Sequence, residues 1–337
     1  MGLSRFVFSL LLWFLYVPHV SLLEALGPRA AILLTRVTSF LHWLLCFAGA
    51  CRRVRRTMKS VLPEIRPDLR VWGVLRKYVT LKQQHFVEWY ASGSSRWRGF
   101  LRTSCNHIEG REHLDRALEK GRGVIVVFFH FGMARMNISA LSQNGYECVF
   151  HEIPFLRYLG KVYPWAARAI MKRENEAKEA SGRKAILHRP GGTFQALSDA
   201  LSRNSIIVLM ADGMAASRLV EMPFLNGRMP FTTGPARLSA ATGADILCVF
   251  SLLEGLYRHR FIVHPAISCR ENSPEAIEAT VRTYVAIFES YVRQYPWAWW
   301  TWRRLDLQPD PDGGKRFVFT EIAMENPNEG TRSSRNR

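Results

Sequence analysis

The sequence lacks the short motifs that mark several common catalytic chemistries. It has no G-x-S-x-G nucleophile elbow, no G-x-x-x-x-G-K-[ST] phosphate loop and no H-E-x-x-H metal motif. Serine hydrolases, P-loop NTPases and zinc proteases of the usual kind are therefore excluded. Its six cysteines show no C-x-x-C spacing. We expect them to be buried free thiols of a reducing compartment, and we predict a site without a metal ion or other cofactor.

Acidic residues are scarce relative to basic ones. The chain has 28 Asp and Glu residues against 46 Lys and Arg residues, which gives a net charge of +18. This excess indicates an acidic partner, which can be a nucleic acid, an anionic lipid surface or an acidic carrier protein. Because no zinc-finger spacing and no aromatic RNA-binding signature is present, we predict no nucleic-acid partner. The sequence does not specify the oligomeric state.

Two apolar stretches lie near the N-terminus, at residues 6–23 and 40–50. The first is interrupted by a Pro-His pair, and the second is shorter than the about 20 residues that a spanning helix needs. The run CRRVRR at 51–56 then supplies four arginines, which favours contact with anionic headgroups on the cytoplasmic side. We therefore predict that residues 1–56 form a membrane anchor and a basic interfacial segment. A cleaved signal peptide is the alternative, but no small-x-small cleavage site follows the first stretch.

From residue 101 onwards, apolar segments typical of buried strands alternate with amphipathic segments typical of helices. The predicted strands are GVIVVFF (123–129), YECVF (146–150), SIIVLMAD (205–212) and ADILCVFSLLE (244–254). This alternation predicts an α/β fold with a mostly parallel central sheet flanked by helices. We place this domain at residues 57–307. A flexible polar tail, rich in Pro, Gly, Asn, Ser and Arg, is predicted at 308–337.

His130 follows directly after the predicted strand at 123–129 and precedes a predicted helix. Open α/β sheets place their sites at the carboxyl ends of strands. Imidazole is the side chain best suited to general acid–base chemistry near neutral pH. A histidine after two phenylalanines is also compatible with a hydrogen-bonded core residue, so its position alone leaves both interpretations open.

Three longer segments carry a resemblance to a known family: GVIVVFFHFGMARMN, ADGMAASRLVEMPFLNGRMPFTTGPARLSAATGADILCVF and YPWAWWTWRRL. In order and spacing they resemble the lysophospholipid acyltransferase superfamily and, within it, the late acyltransferases of lipid A biosynthesis. The resemblance covers roughly residues 35–305. It implies an enzyme at the cytoplasmic face of a bacterial inner membrane, with His130 as general base. Such an enzyme takes a fatty acyl chain from acyl carrier protein or acyl-coenzyme A and transfers it to a hydroxyl of a membrane lipid or glycolipid.

The sequence departs from the family pattern at position 135. The family carries Asp or Glu five residues after its histidine, but Arg135 stands there, and arginine cannot accept the imidazole N–H. Resemblance to the branch that acylates mannosylated phosphatidylinositol implies Glu221, in VEMPFLNG, as the carboxylate beside His130. The alternative is an ordinary surface glutamate. Asp212, after the strand SIIVLMA, is a second candidate for this carboxylate. It matches an aspartate that the family carries after this strand, which implies a part in shaping the acceptor site, and the alternative is a residue that begins the following turn.

Further site residues follow from the implied reaction. The backbone N–H groups of Phe131, Gly132 and Met133, at the start of a helix, are predicted to stabilise the oxyanion of a tetrahedral intermediate. Binding of substrate phosphate groups is predicted for a set of arginines: Arg135, Arg173, Arg189 and Arg218. We expect the tryptophans of YPWAWWTWRRL to divide between the core and a membrane interface or acyl groove.

Arg135 also supports a different hypothesis, a catalytically impaired lipid-binding protein of the same fold. This hypothesis is favoured if both Glu221 and Asp212 lie more than about 10 Å from His130, beyond hydrogen-bond reach.

Overall fold

A computed structural model of the chain describes residues 10, 13–14, 17–47, 49, 51–104, 107–152, 164–182, 184–187, 192–212 and 218–319. Its N-terminal part is helical. The helices there are α1 (Pro18–Leu26), α2 (Pro28–Phe47), α3 (Arg52–Ile65), α4 (Val71–Ala91) and α5 (Ser95–Ser104).

Strands and helices then alternate along the chain. The first half of this part contains β1 (Ile108–Glu109), α6 (Arg111–Leu118), β2 (Val124–Phe128), α7 (Ala134–Gln143), β3 (Cys148–Glu152), α8 (Pro164–Ala180), β4 (Lys184–Leu187), α9 (Thr193–Ser202) and β5 (Ile206–Met210). The second half contains β6 (Leu219–Phe224), β7 (Gly227–Thr232), α10 (Gly234–Thr242), β8 (Asp245–Glu254), β9 (Arg258–Val263) and α11 (Pro274–Gln294). Two short 3-10 helices, Pro296–Ala298 and Trp300–Arg304, lead into β10 (Leu305–Pro309) and β11 (Lys315–Phe319).

The larger sheet has seven strands in the order β1-β9-β8-β2-β5-β3-β4. Its neighbouring strands are parallel except for β8 with β9. β2, β5 and β8 are buried along nearly their whole length, which is why they stand in the sequence as continuous apolar runs. The predicted α/β class is confirmed, with helices flanking a sheet that is mixed rather than purely parallel.

A smaller sheet of four strands, in the order β10-β11-β7-β6, was not expected. It consists of two antiparallel hairpins, β6–β7 and β10–β11, joined by a parallel contact between β11 and β7. Residues 308–319 therefore belong to the folded domain and not to a flexible tail. The rest of the predicted tail lies outside the described residues.

α11 joins the two sheets. Its first turn is capped by the Ser273 side chain, which accepts from the backbone N–H of Ala276, and Pro274 occupies a first-turn position that needs no N–H partner. From its buried face the Phe288 ring stacks on Phe129 beyond β2, with centroids 4.1 Å apart, and on Phe224 of β6, 5.3 Å away. This aromatic core fixes the smaller sheet beside the carboxyl end of β2.

The N-terminal helices pack onto the domain and expose an apolar face. α2 lies along α4, and Val20, Cys46 and Val54 belong to the same core as the larger sheet. Among the described helices, none is both long and apolar enough to cross a bilayer. Much of the first apolar stretch lies outside the described residues, so the membrane role of residues 1–56 stays a prediction.

The cysteines differ in part from the expectation of free thiols. Cys46 and Cys51 are joined by a disulfide, with their Cα atoms 4.8 Å apart. Together with His42 they also form the one grouping of metal-ligand side chains among the described residues. Cys148, Cys248 and Cys269 are free and buried, as predicted, whereas the cysteine at position 105 lies outside the described residues.

Candidate active site

His130 lies just beyond the carboxyl end of β2, near the centre of the larger sheet. Two residues further on, Gly132 has a φ of +59°, and a Cβ atom at this position would lie 1.8 Å from the carbonyl oxygen of Ser251 in β8. Only glycine allows the chain to turn so close to β8. The tight turn keeps His130 at the carboxyl end of β2, with 29% of its side chain exposed.

Asp212 follows β5, which neighbours β2 in the sheet, so the two strand ends bring Asp212 and His130 together. Nδ1 of His130 lies 2.9 Å from Oδ1 of Asp212. The backbone N–H of His130 also donates to both carboxylate oxygens, at 3.0 and 3.1 Å. Because an ionised carboxylate only accepts, we assign the imidazole proton to Nδ1, which leaves Nε2 as the basic nitrogen.

The environment of Asp212 keeps its carboxylate ionised although it is fully buried. Burial by itself raises the pKa of Asp212. The charge of His130, the hydrogen bonds from His130 and a contact with Trp299 act in the opposite direction, and the net pKa is lowered below the ordinary value. A carboxylate that is ionised near neutral pH can hold the imidazole in one tautomer and stabilise its protonated form.

The Trp-rich segment supplies further contacts to Asp212. Nε1 of Trp299 lies 3.4 Å and Oγ1 of Thr301 lies 3.3 Å from Oδ2 of the carboxylate. Trp299 is fully buried and Thr301 nearly so. Neither residue was predicted from the sequence to contact Asp212. The only feature of the sequence that pointed to this segment was its place among the motifs that carry the family resemblance.

The backbone of the same segment pairs with the loop that carries His130. The N–H of Trp300 donates to the carbonyl of His130 at 2.8 Å, and Phe131 forms an isolated antiparallel bridge with Trp299. The histidine loop is therefore held by β5 on one side and by the chain's C-terminal turns on the other.

These backbone bonds contradict the predicted oxyanion site. The N–H of Phe131 donates to the carbonyl two residues earlier at 2.6 Å, that of Gly132 to Ala298 at 2.8 Å, and that of Met133 to Ser251 at 3.4 Å. All three N–H groups thus have backbone acceptors. The loop uses them to fix its own conformation, so they are not available to a substrate oxyanion.

Arg135, on the first turn of α7, is engaged by α8 and α4. Its Nη1 lies 3.1 Å from Oε2 of Glu174 and 3.3 Å from the hydroxyl of Tyr90. The guanidinium also lies over the rings of Trp89 and Tyr90, at 5.3 and 5.8 Å from their centroids. Arg135 thus occupies the family's acidic position without serving His130, and Asp212 supplies the missing acceptor.

Glu221 lies on β6 of the smaller sheet. Its nearest charged partner is Arg316 on β11, at 3.6 Å, and 38% of its side chain is exposed. The carboxylate in contact with His130 is that of Asp212. The predicted pairing of Glu221 with His130 is therefore wrong. The surroundings of Glu221 are those of the alternative interpretation, an ordinary surface glutamate.

The three remaining arginines of the predicted substrate-binding set have different surroundings. Nη1 of Arg173 lies 3.1 Å from both carboxylate oxygens of Glu24 and 3.4 Å from Glu176, so its charge is already paired within the protein. Arg218 is exposed just before β6. Arg189 lies outside the described residues.

A group of basic side chains beside His130 was missed in the sequence. The ring of Trp300 lies 6.4 Å from the His130 ring and 4.3 Å from that of His85 on α4. Nζ of Lys82 lies 4.8 Å from the centroid of Trp300. Burial and Arg303 lower the pKa of Arg304, and Asp212 partly opposes them. Positive charge therefore surrounds one side of the candidate site.

Comparison with known proteins identifies the family of this chain. Residues 9–305 match the family of bacterial lipid A biosynthesis acyltransferases. The chain belongs to this family. The resemblance seen in the sequence is thereby confirmed, and with it the assignment to acyltransferases of lipid biosynthesis.

Relatives within this comparison carry a more specific name. The phosphatidylinositol mannoside acyltransferase of Mycobacterium tuberculosis (strain H37Rv) is 26% identical over 235 residues, which cover 68% of this chain and 69% of the relative. The protein of the same name from Mycolicibacterium smegmatis is 30% identical over 147 residues, 43% of this chain and 45% of the relative. This chain is thus similar to family members whose name refers to a glycolipid acceptor.

Proposed function

We propose that this chain transfers a fatty acyl group from a thioester donor to a hydroxyl of a membrane glycolipid. His130 is the general base, and Asp212 orients it. Acyltransferase activity follows from the family, and the base, the donor and the acceptor are the proposed parts. The observation that carries the proposal is the 2.9 Å contact between Nδ1 of His130 and the buried Asp212.

In the proposed reaction, Nε2 of His130 accepts the proton of the acceptor hydroxyl as its oxygen attacks the thioester carbonyl. Asp212 stabilises the imidazolium that forms and stays ionised itself. When the tetrahedral intermediate collapses, the C–S bond breaks, the thiolate takes the proton from Nε2, and the new ester is released. No covalent acyl-enzyme is needed.

The acceptor is proposed from the relatives. Their printed name describes mannosides of phosphatidylinositol, which combine sugar hydroxyls with a phosphodiester in one membrane lipid. We propose an acceptor of this chemical class, a phosphate-bearing glycolipid. Acyl carrier protein and acyl-coenzyme A are the proposed donors, since both present the acyl chain as a thioester.

The membrane surface is the proposed location. α1 and α2 expose a group of large apolar side chains to the surface: Leu22, Leu26, Leu33, Val37, Phe40, Leu41, Leu44 and Leu45. Arginines follow at the start of α3, and the chain as a whole carries a net charge of +18. An apolar helical face next to basic residues suits the interface of an anionic bilayer. We propose the cytoplasmic face of a bacterial inner membrane.

Acyl transfer into defined lipids tests the proposal. Purified protein is incubated with acyl carrier protein or coenzyme A thioesters and vesicles that contain phosphatidylinositol mannosides, a lipid A precursor or a lysophospholipid. Mass spectrometry then identifies any acylated product. We expect an acylated glycolipid with the wild type and a rate lower by about 10²- to 10⁴-fold with His130→Ala, because general base catalysis contributes on that order.

His107→Ala is the matched control, since His107 is an exposed histidine just before β1. Equal rates for His130→Ala and the wild type would contradict the assignment of the base. A folded wild type that acylates none of the lipids with either donor would favour the lipid-binding protein without activity. The structural condition set for that alternative is not met, because Asp212 lies 2.9 Å from His130.

A further inference from the structure

Four basic side chains belong to elements that meet near His130 and Asp212. Lys82 comes from α4, Arg135 from α7, and Arg303 and Arg304 from the second 3-10 helix; they are called the cationic cluster below. Burial, followed by the positive charges of Arg303, Arg135 and Arg304, lowers the pKa of Lys82 well below its ordinary value. The geometry agrees with this, because Nζ of Lys82 lies 4.8 Å from the ring centroid of Trp300, the first residue of the 3-10 helix that carries Arg303 and Arg304.

Trp300 connects the cationic cluster with the catalytic residues. Nζ of Lys82 lies 4.8 Å from the centroid of its ring, and the His130 ring lies 6.4 Å from the same ring. The backbone N–H of Trp300 donates to the carbonyl of His130 at 2.8 Å. An anion held by the cluster would thus lie on the Trp300 side of the imidazole.

Three members of the cationic cluster have no close carboxylate partner among the described residues. Within this part of the chain, no ion pair of 4.0 Å or less links a carboxylate to Lys82, Arg303 or Arg304, whereas Arg135 pairs with Glu174. Asp212, whose charge acts on Arg304, already pairs with His130. The stretches between residues 10 and 319 that the structure does not describe contain no Asp or Glu, so the sequence offers no internal candidate there.

His85, which contacts Trp300, adds no charge to the cationic cluster. His85 stacks on Trp300 with centroids 4.3 Å apart. Burial, with the charges of Arg135 and Lys82, lowers the pKa of His85 well below its ordinary value, which keeps its imidazole neutral. Like charges held together at a partly buried site cost free energy, and an anionic ligand offsets that cost.

We propose that the cationic cluster binds a phosphate group of the substrate while the reacting group lies at His130. This inference rests on the proposed function and deepens it. The guanidinium forks of Arg303 and Arg304 suit pairs of phosphate oxygens, and Lys82 adds a point charge. A compact anion with one or two charges matches a cluster in which Arg135 is already paired with Glu174.

Two substrates offer this chemistry. A phosphatidylinositol-type acceptor carries a phosphodiester next to its sugar hydroxyls, and a coenzyme A or carrier-protein donor carries phosphate on its pantetheine arm. Isothermal titration calorimetry separates them with two soluble probes, glycerophosphoinositol and coenzyme A. Each is compared with its phosphate-free counterpart, myo-inositol and pantetheine.

Lys82→Met removes the charge and keeps most of the side-chain stem. Lys77→Met is the matched control, because Lys77 lies on the same helix, is exposed, and has its Nζ 4.0 Å from the ring centroid of another tryptophan, Trp297. We expect the wild type to bind one phosphate probe at least about tenfold more tightly than its counterpart. Lys82→Met should lose about tenfold or more of that affinity, and Lys77→Met less than about twofold.

The results distinguish binding of the acceptor from binding of the donor. Weakened binding of glycerophosphoinositol assigns the cluster to the acceptor, and weakened binding of coenzyme A assigns it to the donor. Equal affinity for probes with and without phosphate, or equal effects of the two lysine variants, overturns the proposal. Binding can be measured without turnover. Phosphate binding through Lys82 without any acyl transfer would therefore contradict the proposed function but support phosphate binding by the cationic cluster.

A second measurement does not depend on a folded Lys82 variant. Lysines of the wild type are reductively methylated with ¹³C, and their resonances are followed against pH with and without the phosphate probe. A bound phosphate should raise the pKa of Lys82 and leave that of Lys77 unchanged. A Lys82 resonance that ignores the probe contradicts the proposal.

Discussion

The two sheets hold their key carboxylates in opposite ways. At the edge of the larger sheet, Asp212 is fully buried and accepts hydrogen bonds from His130 and contacts from Trp299 and Thr301. On the smaller sheet, Glu221 is 38% exposed and faces one arginine at 3.6 Å. Asp212 follows β5 and Glu221 lies within β6, and both side chains are carboxylates.

The difference shows what makes a carboxylate useful to a base. A buried carboxylate with several donors has one position, so it can fix the tautomer and direction of an imidazole. An exposed carboxylate beside a flexible arginine has many positions and is screened by water. If this comparison is right, substitutions at Asp212 should impair acyl transfer far more than substitutions at Glu221.

The largest effect is expected for Asp212→Asn. The amide presents an NH₂ group that competes with Nδ1 for the role of donor, which favours the wrong imidazole tautomer. We expect kcat for acyl transfer to fall by about 10³- to 10⁴-fold with little change in KM, as for other carboxylates that orient a catalytic histidine. Steady-state kinetics of the purified variant measure this. A loss below about tenfold would show that Asp212 is not the orienting group.

A large effect on stability is expected for Gly132→Ala. The positive φ and the 1.8 Å approach to the Ser251 carbonyl force the histidine loop to move. We expect the free energy of unfolding to fall by about 3 kcal/mol or more. Urea denaturation followed by circular dichroism tests this.

Gly73→Ala provides the control, because Gly73 lies in α4 and a Cβ there meets nothing within 4 Å. Alanine in an open helical position should stabilise the protein by roughly 0.5–1 kcal/mol. Equal behaviour of the two glycine variants would contradict the close packing of the loop against β8.

A smaller effect is expected in the acid dependence of stability. Since the folded state lowers the pKa of Asp212, its ionised form stabilises the fold above the unfolded-state pKa, about 3.9. That stabilisation is lost as the pH falls through the lower folded-state value. We therefore expect the stability difference between wild type and Asp212→Asn to shrink as the pH is lowered from 6 toward 3. A difference that is constant over this range would indicate that Asp212 has an ordinary pKa.

The smallest effect is expected for Glu221→Gln. Its ion pair with Arg316 is exposed, and such pairs contribute about 0–1 kcal/mol. We expect stability within about 0.5 kcal/mol of the wild type and acyl-transfer rates within about twofold. A loss comparable with that of Asp212→Asn would reverse the comparison between the two sheets.

The sequence was sufficient for the parts of the fold that depend on burial on both faces. β2 and β5 have parallel neighbours on both sides and β8 is parallel to β2, so nearly all of their side chains are apolar and the pattern is clear. The smaller sheet has a weaker pattern. β6 alternates exposed and buried residues and contains a proline, and the turn before β7 places Leu225, a non-glycine residue, at a φ of 55°.

For the site, the sequence located His130 and offered Asp212 as a candidate for its partner, but it ranked Glu221 first. A pairing between neighbouring strand ends depends on strand order, which a single sequence does not give. The resemblance pointed to Glu221 because Arg135 removed the usual acid. The acceptors for the backbone N–H groups of Met133 and Gly132 lie 118 and 166 residues away, at Ser251 and Ala298, and no local pattern reveals such contacts.

The bridge between Phe131 and Trp299 has a consequence for biosynthesis. During translation the histidine loop leaves the ribosome long before the Trp-rich segment exists, because 168 residues separate the two strands of the bridge. A nascent chain at that stage can pair β2 with β5, yet it lacks Trp299 and Thr301 around Asp212. The candidate site therefore gains its full set of contacts only after translation has passed the Trp-rich segment, 168 residues beyond the histidine loop.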